Sequence, residues 1–243
     1  MNNSFLSLVL VDTGGQEDLM PILSSLIEKL QQISKQFEII VVENTLSKNR
    51  LHSLQEISKN QAMKNLLVLC LSEKAQFHTA AWAGLENSLG DYVCIFNPAN
   101  DDINQIESLF QKSAEGYDLV YGNDLNSSET SVIYRLLRSI FHFIYIYING
   151  SSIKGQAGTF KVLSRGLINY IGQFRQPLIK FRYIDSNSNI AVQRFDYHSN
   201  QGSNVHKKTV FSGIDDGFNL LVSSTKIPIS RSSAGVSPLT LNA

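Results

Sequence analysis

The chain has 243 residues, 43% of them apolar, and its 21 basic residues balance 21 acidic ones. A net charge of zero excludes the strong positive field of a general nucleic-acid binder, and the apolar content excludes a disordered chain. Only 17% of residues are charged, so some apolar surface is expected to face a partner or a membrane.

The opening MNNSFLSLVLVD has no basic stretch and no small-residue cleavage site. Its apolar run at 5–11 therefore reads as a strand buried on both faces rather than a leader. Leu19, Ile22, Leu23, Leu26, Ile27, Leu30 and Ile33 recur at spacings of three and four, which predicts an amphipathic helix over 19–34. A second strand is expected at 37–42 (FEIIVV) and a helix at 49–60, with Leu51, Leu54 and Ile57 on one side. A third strand at 65–71 (NLLVLCL) leads to an Ala-rich helix at 77–89, which Gly90 is placed to end. The fourth strand, 92–96 (YVCIF), runs into the turn Asn97-Pro98-Ala99-Asn100; a helix at 103–113 and a strand at 117–121 follow. Beyond Gly122 the pattern loosens into a polar loop at 126–130, an aromatic helix at 131–148 and a strand-to-helix unit at 158–170. Another strand at 190–197, a polar loop at 199–208, a helix at 209–223 and a Ser-rich tail from 230 complete the chain.

Strands alternating with helices predict an α/β domain, a mostly parallel sheet covered by helices on both faces. Ligands bind such sheets at the carboxyl ends of the strands, which directs attention to the loops 12–17, 43–48, 72–78 and 97–102. Cys70 and Cys94 both lie in apolar runs and read as small core residues. The five histidines show no metal-ligand spacing; His78 reads as a helix-start residue facing the ligand end, where a phosphate is the alternative partner. Trp82 falls on the apolar face of its helix, and Thr13-Gly14-Gly15 lacks the spacing of a dinucleotide loop. The run 140–148 (IFHFIYIYI) follows Arg135 and Arg138 and is too short to span a bilayer. Its aromatics, Phe141, Phe143, Tyr145 and Tyr147, make it a candidate interface with a lipid surface or a subunit, with burial in its own core as the alternative.

The segments LSLVLVDTGGQEDL, FEIIVVENTLSK, AAWAGLENSLGDYVCIFNPAND, GYDLVYG and GTFKVLSRGLINYI resemble, in order and spacing, the family 2 glycosyltransferases. Within that family they are most similar to the branch of dolichol-phosphate-mannose synthases and polyprenyl-phosphate glycosyltransferases. The resemblance implies a Rossmann-like GT-A domain over 5–230. It divides into a nucleotide-binding half (5–122) and an acceptor-side half (123–230), with a tail at 231–243. It also implies a UDP- or GDP-sugar donor, with Mg²⁺ or Mn²⁺ on the diphosphate if the protein is active.

The family's motif loops are altered. Where it has Pro-x-Tyr-Asn-Glu, this chain has Val11-Asp12-Thr13-Gly14-Gly15; Glu43-Asn44-Thr45-Leu46 replaces Asp-Asp-Gly-Ser. The third loop, usually Arg-Asn-x-Gly-Lys, is Glu73-Lys74-Ala75-Gln76-Phe77. The metal-holding Asp-x-Asp becomes Asn97-Pro98-Ala99, with Asp101 and Asp102 just downstream; the acceptor-side Asp before Phe-Arg becomes Thr159. A hard cation wants carboxylate oxygens, which leaves Asn97 and Asp101 as weak metal candidates. Resemblance assigns donor contacts to Asp12, Thr13, Glu43, Lys74, Asn97, Lys207 and Lys208, and degenerate catalytic positions to Asp102 and Thr159.

Scaffold residues kept beside altered chemical loops suggest a fold retained without its first reaction. Three functions are expected from this pattern. One is a protein with weak or lost transfer that binds, or assists an active enzyme in glycan, polysaccharide or glycolipid synthesis. The second is an active transferase with a rearranged or metal-independent site, and the third a sugar or nucleotide sensor. Expected partners are a nucleotide-sugar, a second copy or an active glycosyltransferase, and a membrane touched peripherally from the cytoplasm; nucleic acid is not among them.

Overall fold

A computed structural model describes residues 4–14, 19–47, 49, 52–54, 57, 65–125, 139–140, 143, 147, 153–154, 159–182, 184–185 and 189–198. In chain order these form β1 (Leu6–Asp12), α1 (Met20–Ile33), β2 (Phe37–Glu43), β3 (Leu66–Cys70), α2 (Phe77–Glu86) and β4 (Tyr92–Phe96). A short 3₁₀ turn (Ile103–Gln105) opens α3 (Ile106–Ala114), followed by β5 (Leu119–Asp124), β6 (Ile153–Lys154) and β7 (Lys161–Ser164). The last are α4 (Arg165–Gly172), α5 (Pro177–Arg182), β8 (Ile184–Asp185) and β9 (Val192–Tyr197).

Seven strands make one sheet in the order β3-β2-β1-β4-β7-β5-β9, while β6 and β8 pair separately. The first half is parallel: β1 runs in register with β2 from Leu6↔Phe37 to Asp12↔Glu43, and with β4 from Leu6↔Tyr92 to Leu10↔Phe96. β7 is antiparallel to both β4 and β5, whereas β5 and β9 are parallel. The expected mostly parallel sheet is thus observed, with one reversed strand joining its two halves.

Burial explains why the strands read as unbroken apolar runs. All seven residues of β1 are buried, since helices cover both faces of the sheet. On one face Leu6, Leu8 and Leu10 pack with Leu23, Leu26 and Leu30 of α1 and Leu109 and Phe110 of α3. On the other, Val9, Val11, Ile40 and Val42 pack with Ala81, Trp82 and Leu85 of α2 and Leu167 and Ile171 of α4. Leu54 and Ile57, expected on the inner side of a helix, are buried and helical. Trp82 is in the core, its indole N–H donating to Glu86 Oε1 at 2.7 Å.

Three expectations need correction. The helix expected over 77–89 with Gly90 as its stop ends at Glu86, and Asn87 is its C-cap. Cys94 is buried, but Cys70 is exposed, because β3 is the sheet's terminal strand and only partly covered. The strand expected at 117–121 lies at Leu119–Asp124, since Tyr117 and Asp118 belong to the preceding turn. The 126–130 loop, most of the 131–148 helix and everything from 199 onward lie outside the described residues.

Two glycines carry the close packing. A Cβ on Gly84 would fall 2.3 Å from Val9 Cγ1, so only glycine lets α2 lie this near β1. At Gly90 it would fall 2.6 Å from the Ser7 backbone nitrogen. Packing therefore dictates the glycines of the AGLENSLGDYV segment: they seat a helix on the sheet and lead the chain into β4.

Candidate functional site

Strand order reverses beside β1: the chain moves out through β2 to β3, then returns to place β4 on the opposite side. The carboxyl ends of β1 and β4 flank the topological switch point, the place where open α/β sheets bind ligands. Asp12, Glu43 and Asn97 end β1, β2 and follow β4, and all three are buried.

The β1 and β2 loops are held by their own side chains. Asp12 Oδ1 accepts the Gly14 N–H at 2.9 Å, and Gly14 turns with φ +84° against the Thr45 methyl. Glu43 Oε1 accepts the Thr45 N–H at 2.7 Å and also the Thr45 hydroxyl. Asn44 bridges to the loop before α2, its amide nitrogen donating to Ala75 O at 2.9 Å and its oxygen accepting the Ala75 N–H at 2.8 Å. Leu46 follows in the left-handed region at φ +59°, half exposed, a strained conformation for leucine. Thr13 and Lys74 are exposed on the same side of the sheet.

The turn after β4 is closed internally. Asp101 Oδ2 accepts the Asn97 N–H at 2.6 Å, and Asp101 Oδ1 accepts the Thr159 hydroxyl at 3.1 Å. Burial pushes the Asp101 carboxyl up to about 7, although these two hydrogen bonds pull it back. Asn97 Oδ1 accepts the Ala99 N–H at 3.0 Å. Asp102 caps the 3₁₀ turn, its Oδ1 accepting both the backbone and the amide N–H of Asn104 at 2.9 Å. A helix-capping role for Asp102 agrees with its sequence position, but Asp101 and Asp102 are both buried where a solvated turn is the simplest expectation. Asp102 Oδ2 and Asn100 Oδ1 are buried without a hydrogen-bond partner.

These residues do not fit a divalent cation. Ala99 has no side-chain ligand atom, both Asp101 oxygens and Asn97 Oδ1 hold the turn together, and Asp102, with Oδ1 on its cap, has only Oδ2 uncommitted, one carboxylate oxygen where a pair of carboxylates is wanted. Among the described residues no three of His, Cys, Asp and Glu gather as metal ligands would. The structure thus joins Asn97, Asp101 and Thr159 in one network and keeps Asp12 and Glu43 as neighbouring strand ends.

Other positions fall as follows. His78 is buried in the first turn of α2, edge-on to Phe77 and Phe181. Lys161, just after Thr159 and Phe160, is buried with Nζ 4.0 Å from the Phe181 ring centroid. Of the interface candidates, Phe143 and Tyr147 are helical and exposed, whereas Arg135, Arg138, Phe141 and Tyr145 lie outside the described residues. Lys207 and Lys208 do too.

Sequence reasoning missed Asn44, whose bridge to Ala75 had no pattern to announce it, and Tyr197. Tyr197 is buried with its ring edge-on to Phe160, and burial, then the carboxylates of Asp101, Asp124 and Asp102, push its phenol up. Its closeness depends on the parallel β5–β9 pairing, a contact far apart in sequence.

A mostly parallel seven-stranded sheet of this order with helices on both faces matches the GT-A glycosyltransferase fold. Glucosyl-3-phosphoglycerate synthase of Mycobacterium tuberculosis, solved with Mn²⁺, UDP and phosphoglyceric acid, is similar over 94% of this chain and 81% of its own, with TM-score 0.56 and 14% identity. Another crystal structure of the M. tuberculosis enzyme covers 94% and 83% with TM-score 0.54 and 13% identity. No family model matches the chain, and no curated protein matches it in sequence. At such identities the likeness establishes the fold alone.

Proposed function

We propose that this protein is a family 2-like glycosyltransferase relative that binds a nucleotide-sugar at the carboxyl ends of β1 and β4 and whose metal-dependent sugar transfer is weak or lost. It acts by binding, or as the partner of an active enzyme in glycan, polysaccharide or glycolipid synthesis. The observation that carries this reading is the closed turn after β4, where Asp101 has both oxygens in hydrogen bonds to Asn97 and Thr159. A donor diphosphate brings negative charge that a transferase must neutralise at the departing oxygen. A turn whose Asp101 carboxylate is engaged through both oxygens, beside Ala99, leaves that charge without the usual pair of metal-holding carboxylates.

The binding half of the job survives better. Asp12 and Glu43 place two carboxylates on adjacent strand ends, where they can accept hydrogen bonds from a base or ribose. The Asn44–Ala75 bridge fixes the β2 loop against the loop before α2 and so sets one side of that site. The neighbours solved with UDP or UDP-glucose support a nucleotide-sugar as ligand class.

Calorimetric titration of the metal-free protein with UDP-glucose and with GDP-mannose tests this. Heat of binding is expected with one of them, and the paired changes Asp12→Asn and Glu43→Gln should weaken it at least about tenfold. Binding of neither compound would overturn the proposal.

A further inference from the structure

We propose that β3 pairs antiparallel with β3 of a second copy of this chain, about a two-fold axis at Val68, so that two seven-stranded sheets become one. β3 ends the sheet, and none of its five residues is buried. Its register against β2 is unbroken: Asn65 O accepts the Ile39 N–H at 2.8 Å, and the Leu71 N–H donates to Glu43 O at 3.2 Å. Alternate residues of a strand bond to the same neighbour, so Asn65, Leu67, Leu69 and Leu71 serve β2. The backbone N–H and C=O groups of Leu66, Val68 and Cys70 therefore point away from the sheet. Among the described residues no hydrogen bond reaches them.

The two edges of the sheet differ. β9, at the other end, carries Arg194 and Asp196, both exposed and paired at 2.6 Å, the charged side chains that keep an edge strand from pairing with another chain. Residues 65–71 (NLLVLCL) hold no charge, proline or glycine, and Leu67 is 40% exposed. Two such strands meet without opposing like charges. The spacing fits a copy of itself. A two-fold axis at Val68 sets Val68 opposite the partner's Val68 and Leu66 opposite the partner's Cys70, so the outward groups of all three residues are paired. The flanks agree in charge as well. A groove of about 590 Å³ at the amino end of β3 is lined by Phe5, Lys35, Phe37, Leu66 and Leu67; Glu38, which also lines it, is held by Ser7 and Leu89. Exposed Glu73, and Lys74 after it, follow the carboxyl end of the strand. Antiparallel pairing carries the partner's Glu73, the nearer of the two, toward the groove and Lys35. The charged β9 leaves each sheet a single open edge, so assembly stops at two copies. The proposal does not depend on nucleotide binding.

Analytical ultracentrifugation of the full chain over about a hundredfold range of concentration tests it. A species of twice the 27.1 kDa chain mass is expected, and nothing larger. Leu67→Lys puts on the open edge a charge that a single copy can leave in water. It should weaken the dimer at least about tenfold, with circular dichroism unchanged. Leu66→Cys sets a thiol opposite the partner's Cys70, at the Cα separation of about 5.5 Å that a disulfide spans, so a mild oxidant should give a covalent dimer. Leu66→Cys/Cys70→Ser should give none, because the two introduced thiols lie about 14 Å apart. Four results would overturn the proposal: a monomer at every concentration, assemblies that grow past two copies, a dimer that Leu67→Lys leaves intact, or a dimer that Leu66→Cys fails to lock through Cys70.

Discussion

The two ends of the same sheet are built to different standards. At the amino end polar groups from distant segments interlock: the Gly90 N–H donates to Ser7 Oγ at 2.7 Å, and Ser7 Oγ donates to Glu38 Oε1 at 2.6 Å. Glu38 Oε1 also accepts the Leu89 N–H at 2.6 Å, while Arg165 reaches Gly90 O from Nε at 3.0 Å and from Nη2 at 2.7 Å. At the carboxyl end carboxylates are buried in their own turns, and Asp102 Oδ2 and Asn100 Oδ1 have no partner. Packing fixes the first set of residues whatever the protein does. The second set is fixed by packing only in part, and under the proposed reading its buried carboxylates hold their own turns rather than a cation.

The largest effect is expected at the amino end. Gly90→Ala would drive a methyl into the Ser7 backbone, which cannot swing aside, and should cost about 4 kcal/mol by thermal or urea unfolding. An unchanged melting temperature would break the contrast.

A pH effect comes next, from the carboxyl end. The unfolded Asp101 titrates near 3.8, whereas the buried group holds its proton up to about 7. Between these values the native state binds more protons, so stability should fall as pH rises from about 4 to about 7, by on the order of 3 kcal/mol. Asp101→Asn should flatten that slope in melts taken across the range.

Smaller again is Arg165→Met, which removes the hydrogen bonds to Gly90 O and to Ser88 Oγ. Its cost should be about 1–2 kcal/mol in stability, with nucleotide binding unchanged. The smallest change sharpens the comparison directly: Asn97→Asp with Ala99→Asp returns two carboxylates to the turn. UDP-glucose affinity should then become Mn²⁺-dependent by about tenfold, read by calorimetry with and without the ion.

How much was legible in the sequence follows the same divide. The strand at Tyr92–Phe96 and the helix of Leu23, Leu26 and Leu30 announce themselves because burial imposes a period on the residues. Gly90 reads in the sequence only as a helix stop, and the lack of room for a Cβ at Gly84 and Gly90 shows only once the helix is seated on the sheet. The reversed direction of β7 and the exposure of Cys70 did not show, since strand direction and edge position depend on distant pairing rather than local pattern. In the site, the absence of a side-chain ligand atom at Ala99 was plain from its residue type. The engagement of both Asp101 oxygens was not, because Thr159 is 58 residues away and only the fold brings its hydroxyl to the turn.

The central claim is that donor binding has outlived its metal. Calorimetric titration of the unmodified protein with UDP-glucose, once in Mn²⁺ and once in EDTA, tests it most directly. The account predicts binding in both conditions with affinities equal to within about twofold. Affinity at least about tenfold higher in Mn²⁺, or binding confined to it, would contradict the account.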